Sequence, residues 1–514
     1  MTGRQQQSLN KILEVLGEAP LSQDIMVSGL ALDSRKLVGG ELFLAVPGFH
    51  VDGRDYIHDA MGKGVAAILA ESGRELSDDL AGSSDGDAVP VISIDNLQGR
   101  IGFLASHYYR QPSEKLRLTG VTGTNGKTSC CWFIAQLLSR LGQPCAVMGT
   151  IGKGIPPELE PCLNTTSDSI SLQQYIAALV EDRVPAMAME VSSHGLDQRR
   201  TDGLKFEVAV FTNISRDHLD YHRTIDAYAR TKAQLFARGQ ARQAVINLDD
   251  EYSDLMLSAC PAGTSVVTFS TRSEKADIFA SDVHLSPTGL TAYLHTPWGD
   301  GRLETPLMGR FNLENLLAVI GAVCVQGFPL DSVLKLIPDL ASVPGRMQSL
   351  GGIDKPLVIV DYAHTPDALA SVLVSLREHG ADSLTCVFGC GGDRDKGKRP
   401  QMTKAAISYA DRVVVTSDNP RTEDPEVIIA DALKGIPSPD RSKVNIVVDR
   451  AEAISRTVER AEAGDIVVVA GKGHEDYQEV NGKRLPFDDA EHVKAALSHW
   501  GMGSTHQAAV RGVQ

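Results

Sequence analysis

A glycine-rich segment between a predicted strand and a predicted helix constrains the fold of this chain more than any other feature. Residues 116–121 are strand-like, and residues 130–141 have the apolar periodicity of a helix that Gly142 ends. Between them, residues 122–129 read Thr-Gly-Thr-Asn-Gly-Lys-Thr-Ser. Backbone N–H groups at a helix N-terminus favour anions, and a Lys-Thr pair there adds a positive charge for phosphates and a hydroxyl for Mg²⁺. The segment predicts a nucleoside triphosphate site. Its residues are Gly123, Thr124, Asn125, Gly126, Lys127, Thr128 and Ser129.

The spacing of this segment departs from the common phosphate-loop pattern. G-x-x-x-x-G-K-[ST] requires a glycine at position 121, where this chain has Val121, and the first glycine is Gly123. The alternative interpretation is a glycine-rich turn with a solvated lysine. The flanking strand and helix favour the phosphate-binding interpretation.

Composition narrows the class of protein. A chain of 514 residues is expected to hold about three domains. No apolar run approaches the roughly 20 residues that span a bilayer, and a net charge of −15 argues against nucleic-acid binding. The eight cysteines include no C-x-x-C pair, which indicates a reducing compartment. We therefore expect a cytoplasmic monomer that binds neither membrane nor nucleic acid.

Alternating strand-like and helical segments predict an α/β fold of three domains. We expect a small N-terminal α/β domain at 1–112 and a central domain at 113–343 with a P-loop ATPase-like parallel sheet. A C-terminal doubly wound, Rossmann-like domain is expected at 344–502, followed by a flexible tail at 503–514. The predicted strands of the last two domains are 186–191, 208–211, 244–247, 265–269, 357–360, 384–388, 412–416, 444–448 and 466–470.

Two residues after buried strands are candidates for metal binding. Glu190 ends an apolar strand, where a carboxylate requires either a metal or a salt-bridge partner. His218 lies in a polar run that follows the strand 208–211, at the carboxyl end where parallel sheets gather their active sites. Alone, a histidine at this position is more often a hydrogen-bonded loop residue than a metal ligand.

Six further motifs accompany the phosphate loop. They are Met189-Glu190-Val191-Ser192-Ser193-His194, Asp217-His218-Leu219-Asp220, residues 228–236, residues 309–315, Pro344-Gly345-Arg346-Met347 and residues 361–366. Together these motifs resemble the Mur ligase family of peptidoglycan synthesis, whose phosphate loop has the same short Gly-Thr-Asn-Gly-Lys-Thr form. They occur in the family's order and lie in the central and C-terminal predicted domains.

The resemblance implies ATP-dependent amide formation on UDP-N-acetylmuramoyl-L-alanyl-D-glutamate, through an acyl phosphate. Asp418-Asn419-Pro420-Arg421 resembles the diaminopimelate-recognition motif of the family members that add the third peptide residue, and residues 471–475 support the same assignment. The implied amino-acid substrate is therefore meso-diaminopimelate. Arg421 could bind its second carboxylate in a bidentate manner, a group that lysine lacks.

The resemblance also implies specific roles for residues. Lys127, Lys232 and His218 are the implied catalytic residues, and Mg²⁺ is implied at Thr128, Glu190, His218 and Lys232, the last carbamylated by CO₂. Without the resemblance, Lys232 would be interpreted as a helix-surface lysine. The implied ATP contacts outside the phosphate loop are Asn312, Arg346, Asp361 and His364.

Two substrate sites complete the implied set. For the UDP-muramoyl dipeptide the residues are Leu32, Ser34, His50, Asn164, Thr165, Thr166, Ser192, Gln198 and Arg200. For diaminopimelate they are Arg394, Asp418, Asn419, Pro420, Arg421, Gly471 and Glu475.

Two alternatives remain open from the sequence. A folylpolyglutamate synthetase-like ligase would share the phosphate loop and the modified lysine, but it leaves residues 418–421 unexplained. A nucleotide-dependent switch without amide chemistry would leave Glu190, His218 and Lys232 without a role.

Overall fold

The computed structural model describes residues 6–48, 51–74, 89–238, 240–434, 436 and 438–501. His50, residues 75–88 and the predicted tail at 503–514 lie outside the described residues. The chain divides into two compact units: residues 1–127 with 134–267, and residues 128–133 with 268–514. The predicted domain boundaries at 112/113 and 343/344 remain predictions.

The first unit begins with a small α/β layer. Strands β3 to β6 form a parallel sheet in that order. Leu42 and Leu44 of β4 pack on the face that helices α1 and α3 cover, whereas Phe43 and Ala45 pack on the face that α2 covers. Burial on both faces explains why this strand is continuously apolar. The elements are β1 (Gln7–Ser8), α1 (Leu9–Val15), β2 (Met26–Val27), β3 (Leu30–Ala31), β4 (Leu42–Ala45), α2 (Ile57–Gly62), β5 (Ala67–Glu71), β6 (Val91–Ile94) and α3 (Ile101–Tyr108).

A larger sheet follows in the first unit. Its elements are β7 (Arg117–Thr122), α4 (Lys127–Arg140), β8 (Cys145–Gly149), β9 (Gly152–Ile155), β10 (Glu158–Glu160), α5 (Ser169–Glu181), β11 (Ala186–Glu190), α6 (Ser193–Asp197), β12 (Phe206–Phe211), α7 (Leu219–His222), α8 (Ile225–Ala237), β13 (Ala241–Asn247) and α9 (Ser253–Ala259). Strands β8, β11, β7, β12 and β13 are parallel neighbours in that order, and β9 and β10 extend the β8 edge in antiparallel fashion. The carboxyl ends of β11, β7 and β12 therefore lie side by side.

The second unit contains an antiparallel segment. Strand β14 (Ser265–Ser270), which the division at 267/268 crosses, leads to β15 (Ile278–Ser286), β16 (Gly289–His295) and β17 (Gly301–Thr305), and two helices follow, α10 (Arg310–Cys324) and α11 (Leu330–Leu334). Strands β15, β16 and β17 form an antiparallel meander. The sequence interpretation did not identify this meander.

The remainder of the second unit is a doubly wound sheet. Its elements are β18 (Gln348–Gly351), β19 (Leu357–Asp361), α12 (Pro366–Arg377), β20 (Leu384–Cys390), α13 (Lys398–Tyr409), β21 (Arg412–Ser417), α14 (Pro425–Leu433), β22 (Val444–Ile446), α15 (Arg450–Arg460), β23 (Ile466–Ala470), β24 (Tyr477–Val480), β25 (Lys483–Pro486) and α16 (Asp489–His499). The strand order is β18-β19-β23-β20-β21-β22, and every pair is parallel except β18 with β19. Strands β24 and β25 form a separate hairpin.

The predicted α/β class with parallel-rich sheets is confirmed. In the described part of the chain, no helix is both long enough and apolar enough to cross a membrane.

Candidate active site

The phosphate loop, residues 122–129, connects β7 to α4 as predicted. Gly126 precedes the first helical residue with φ of 85°, a conformation that side chains disfavour. At Gly123 an added Cβ would lie 1.9 Å from Thr212 Oγ1, so only glycine fits. Both glycines of the short motif are therefore required by the backbone.

The loop is fixed against the end of β12. Thr124 N–H donates to Asn213 O over 2.7 Å, and Asn125 N–H donates to Asn213 Oδ1 over 3.0 Å. Thr212 Oγ1 donates to Asn125 O over 2.6 Å. Because these two loop amides are used internally, we expect anion binding to rely on the first turn of α4, where Lys127, Thr128 and Ser129 lie.

Two lysine side-chain nitrogens share one carbonyl oxygen of the loop. Lys127 Nζ lies 3.0 Å and Lys232 Nζ 2.7 Å from Gly123 O. Lys232 is 1% exposed, so the interpretation of a helix-surface lysine is wrong. Burial, and then the charge of Lys127, hold the pKa of Lys232 well below its usual range. Both effects favour the neutral amine of Lys232 over the ammonium.

Glu190 is buried at the end of β11, and residues that the sequence did not single out hold it. Thr150 donates from its N–H to Glu190 Oε1 over 2.8 Å, and from its hydroxyl to Oε2 over 3.3 Å. A Cβ at Gly149 would lie 2.1 Å from Glu190 Oε1. The carboxylate is thus oriented by a clamp at residues 149–150, the end of the neighbouring strand β8.

His218 precedes α7 with φ of 51°, and about half of its side chain is exposed. Its Nε2 lies 3.4 Å from Asp217 Oδ2, and its ring centroid is 4.9 Å from that of His194 and 6.1 Å from that of Tyr228. Tyr228 also contacts Thr124 of the phosphate loop, with 3.2 Å between hydroxyl oxygens. His218 therefore belongs to an aromatic cluster beside the loop.

The described residues contain no group of three or more His, Cys, Asp or Glu side chains that could hold a metal ion. Mg²⁺ does not need such a group, since one or two carboxylates, phosphate oxygens and waters usually hold it. The buried carboxylate of Glu190 and the hydroxyl of Thr128, in the first turn of α4, fit that donor chemistry.

Four of the predicted dipeptide contacts lie together next to Glu190. Thr166 donates from Oγ1 to Glu190 O over 2.9 Å, and Ser192 N–H donates to Thr166 Oγ1 over 3.0 Å. Arg200 donates from Nη1 to Thr166 O over 2.7 Å and from Nε to Gln198 Oε1 over 3.1 Å. A positive charge is thereby held beside the strand end that carries Glu190.

The other predicted dipeptide residues are more dispersed. Thr165 lies 3.2 Å from Thr150 between hydroxyl oxygens, and Asn164 is exposed. Leu32 lines a cavity of about 640 Å³ between the N-terminal layer and α5. Ser34 is buried and its carbonyl accepts Lys63 Nζ over 3.0 Å.

The predicted ATP contacts of the second unit form two groups. Asp361 is buried and accepts the N–H groups of Met347 and Ala363, each over 2.8 Å, and burial raises the pKa of its carboxyl. Arg346 stacks on the Tyr362 ring at 4.8 Å, and His364 Nδ1 lies 2.9 Å from Tyr362 O. Asn312, the remaining contact, lies in the first turn of α10 and donates to Met308 O over 2.8 Å.

The predicted diaminopimelate residues follow three adjacent strands, β23, β20 and β21. Asn419 Nδ2 donates to Glu475 Oε2 over 2.8 Å, so the two motifs meet. Arg421 donates from Nη1 to Gly392 O over 2.8 Å, and its Nε lies 3.5 Å from Glu479 Oε2. Asp418 and Pro420 are buried, a Cβ at Gly471 would lie 2.7 Å from Asp418 Oδ2, and Arg394 is exposed.

Lys472 is a further residue of this group, and the sequence interpretation assigned it no role. Its side chain is fully buried, with Nζ 3.1 Å from Asn419 Oδ1 and 3.3 Å from Glu475 Oε2. Its place two residues after the end of the apolar strand β23 was the signal that could have identified it. We call Asn419, Lys472 and Glu475 the amide–lysine–carboxylate cluster.

The phosphate loop at a strand-to-helix turn and the grouped polar side chains at the strand ends define a nucleotide-binding α/β protein. Three family descriptions match the chain: "Mur ligase family, catalytic domain" over residues 26–109, "Mur ligase middle domain" over 121–323 and "Mur ligase, glutamate ligase domain" over 345–473. The chain belongs to the Mur ligase family, and the resemblance predicted from the motifs is confirmed.

Curated relatives and solved structures agree with this assignment. The Pseudomonas aeruginosa UDP-N-acetylmuramoyl-L-alanyl-D-glutamate--2,6-diaminopimelate ligase is 48% identical over 478 residues, which cover 93% of this chain and 96% of the relative. The Coxiella burnetii protein of the same name is 44% identical over 493 residues, 95% of this chain and 99% of the relative. A solved structure with this name has a TM-score of 0.73 at 42% identity and covers 93% of this chain and 95% of its own.

The folylpolyglutamate synthase of Mycobacterium tuberculosis shares the fold alone, with a TM-score of 0.57 at 20% identity over 73% of this chain and 92% of its own. Family membership makes the chain a ligase, which contradicts the alternative of a switch without amide chemistry.

Proposed function

We infer that the chain is an ATP-dependent amide ligase that joins meso-diaminopimelate to UDP-N-acetylmuramoyl-L-alanyl-D-glutamate in peptidoglycan precursor synthesis. The observation that carries this inference is the hydrogen bond from Asn419 to Glu475, because it brings the carboxylate of Glu475 into one group with the motif that carries Arg421. A two-ended amino acid with a carboxylate and an ammonium at its far end is complementary to that group.

The chemistry starts with a carboxylate, which is a poor electrophile because oxide is a poor leaving group. The side-chain carboxylate of the D-glutamate attacks the γ-phosphorus of ATP, and the bond to ADP breaks. The amine of diaminopimelate then attacks the acyl carbon of the resulting acyl phosphate. Inorganic phosphate leaves, and the nitrogen loses a proton as the amide forms.

Phosphoryl transfer between two anions requires positive charge around the transferred group. Lys127 and the first turn of α4 provide it on the protein side, with His218 beside the loop. The family generally uses Mg²⁺, which when bound would neutralise phosphate charge, with Thr128, Glu190 and His218 as its proposed ligands.

Carbamylation of Lys232 is part of the proposal. The neutral amine adds to CO₂, a C–N bond forms and one proton is released, so a neutral amine becomes an anionic carbamate. A buried lysine with a lowered pKa, next to the charge of Lys127, supports this modification, since the carbamate anion is attracted to the Lys127 ammonium. The carbamate oxygens would then face Mg²⁺.

The muramoyl dipeptide is proposed to bind between the cavity lined by Leu32 and the Thr166–Arg200 group. A volume of about 640 Å³ falls within the range of small-molecule sites and suits the uridine end. Arg200 would meet a carboxylate of the dipeptide, and Ser192 and Gln198 lie within its group.

The acceptor preference tests the proposed function. Purified protein with ATP, Mg²⁺ and the UDP-muramoyl dipeptide is incubated separately with meso-diaminopimelate, L-lysine and L-glutamate. The products are identified by mass spectrometry. We expect a tripeptide product, ADP and phosphate with diaminopimelate, and little product with the other two. Product with lysine but none with diaminopimelate would overturn the substrate assignment.

We further propose that the enzyme acts as a cytoplasmic monomer that needs neither membrane nor nucleic acid. A net charge of −15 supports the last point. Light scattering coupled to size exclusion is expected to give the mass of one chain, 55.2 kDa. A concentration-independent dimer mass would contradict this.

A further inference from the structure

The loop that carries Arg394 is tied to the motif that carries Arg421. We call residues 391–397 the Arg394 loop. Gly392 N–H donates to Asn419 O over 2.9 Å, and Arg421 Nη1 donates to Gly392 O over 2.8 Å. A Cβ at Gly392 would lie 1.9 Å from Pro420 O, so the two backbones touch. The segments after β20 and β21 therefore form one assembly.

Asp393 adds a second set of ties. Its carboxylate accepts the Thr422 N–H over 3.1 Å and the Thr422 hydroxyl over 2.8 Å. Its own N–H donates to Glu423 Oε1 over 2.7 Å. Asp393 has φ of 53°, so the loop turns sharply at the residue that precedes Arg394. The direction in which Arg394 leaves the loop thus depends on these bonds.

Glu423 contacts both ends of the Arg394 loop. Besides the Asp393 N–H, it binds Arg399 through two bonds, Nη2 to Oε1 over 2.8 Å and Nη1 to Oε2 over 3.1 Å, and Lys396 Nζ lies 3.2 Å from Oε2. The Arg399 side chain is fully buried. Arg399 lowers the pKa of Glu423 to about 2, so Glu423 is ionised throughout the working range of pH.

The proposed substrate gives this assembly a role. Meso-diaminopimelate carries a carboxylate and an amine at each end, and Arg421 and Arg394 are proposed to meet its two carboxylates. Guanidinium–carboxylate pairs are geometrically strict, so the separation of the two arginines limits the length of acceptor that satisfies both. A site in which that separation is fixed discriminates a seven-carbon acceptor from a shorter homologue.

We propose that Glu423 is a positioning residue that fixes the spacing between Arg394 and Arg421, and thereby the length of the two-ended amino acid that the site accepts. This inference rests on the proposed function, and it assigns a specificity role to a residue that does not itself touch the substrate.

The test compares three variants with two acceptors. Glu423→Gln removes the ion pair with Arg399 and weakens the hold on the loop. Asp431→Asn is the matched control, because Asp431 Oδ2 is the other carboxylate partner of buried Arg399, at 3.0 Å. This substitution removes a charge beside Arg399 but leaves the bond between Glu423 and Asp393 in place. Thr422→Val removes only the hydroxyl bond to Asp393, at an exposed position where misfolding is not expected.

The readout is the ratio of kcat/KM for meso-diaminopimelate to that for its homologue one methylene shorter, with KM for ATP measured beside it. For Glu423→Gln we expect diaminopimelate KM to rise about tenfold, the ratio to fall toward one and ATP KM to stay constant. For Thr422→Val we expect the diaminopimelate KM to rise roughly threefold, with a smaller fall in the ratio and a constant ATP KM. Asp431→Asn is expected to keep the wild-type ratio.

Wild-type ratios in Glu423→Gln and Thr422→Val would overturn the proposal, as would an equal fall of the ratio in Asp431→Asn. If Glu423→Gln does not fold, the Thr422→Val result decides in either direction. Failure of the wild-type enzyme to use diaminopimelate would instead contradict the proposed function, so the two failures are distinguishable.

Discussion

Two fully buried lysines lie in opposite surroundings. Lys232 shares the carbonyl of Gly123 with a second cation, Lys127, whereas Lys472 contacts the carboxylate of Glu475 and the side-chain oxygen of Asn419. Burial and a like charge favour the neutral amine of Lys232, whereas the nearest charged partner of Lys472 is a carboxylate. The comparison separates a region that we propose for chemistry, at the phosphate loop, from a region that we propose for recognition, at the amide–lysine–carboxylate cluster.

The largest effect is expected at the reactive lysine. Lys232→Ala should lower kcat on the order of 1000-fold, because the proposed carbamate that holds Mg²⁺ is lost and charge stabilisation at the phosphoryl group falls. Adding short carboxylates such as formate should restore part of the rate. Equal activity in wild type and variant, in buffers with and without bicarbonate, would remove the basis for the modification.

The next effect is expected at the recognition region. Arg421→Ala should raise the diaminopimelate KM on the order of 100-fold with ATP KM unchanged, since a bidentate charged pair contributes about 2–3 kcal/mol. Arg421→Lys, which keeps the charge but not the fork, serves as the control and should recover only part of the loss. Steady-state kinetics with each substrate varied in turn measures both constants, and parallel changes in the two would contradict a role in acceptor binding.

A smaller effect, on stability, is expected at the paired lysine. Lys472→Met should lower the free energy of unfolding by about 2 kcal/mol, because it removes the cation beside a carboxylate that is only 22% exposed. The double variant Lys472→Met with Glu475→Gln should recover part of this loss. Urea unfolding of the single and double variants gives the coupling, and additive losses would show that the two side chains do not interact.

The smallest effect is a gain in stability, which we expect on replacement of the other buried lysine, Lys232. The pKa of Lys232 is lower in the folded chain than in the unfolded chain, so its contribution to stability is present above the unfolded value of about 10.5 and is lost as pH falls through the folded value. Lys232→Met removes this loss, so in CO₂-free buffer its melting temperature should exceed that of wild type at pH 7. The gap should narrow toward pH 10, and a gap that widens with pH would contradict the lowered pKa.

The phosphate loop was predictable because its determinants are local. Gly123, Gly126 and Lys127 are within five consecutive residues, and the strand and helix that flank them are strongly patterned. Strands buried on both faces, such as β11 and β23, are continuous apolar runs in the sequence. Their predicted bounds agree with the observed bounds to within one residue. The meander β15–β17 was missed because one face of its strands is exposed and polar.

The contacts among site residues were not predictable because they join segments far apart in sequence. Thr150 reaches Glu190 across 40 positions, and Lys472 reaches Asn419 across 53. A sequence names the residue types but not which pairs the fold brings within hydrogen-bond distance. The motif resemblance located Asn419 and Glu475, whereas Lys472 and Glu423 needed the structure.

The most direct test of the account follows one oxygen atom. The UDP-muramoyl dipeptide is prepared with oxygen-18 in the side-chain carboxylate of its D-glutamate and ligated to diaminopimelate with ATP. Attack of that carboxylate on the γ-phosphorus predicts one oxygen-18 atom in each inorganic phosphate released, detected by mass spectrometry. Unlabelled phosphate, with amide product formed, would contradict carboxylate activation at the phosphate loop.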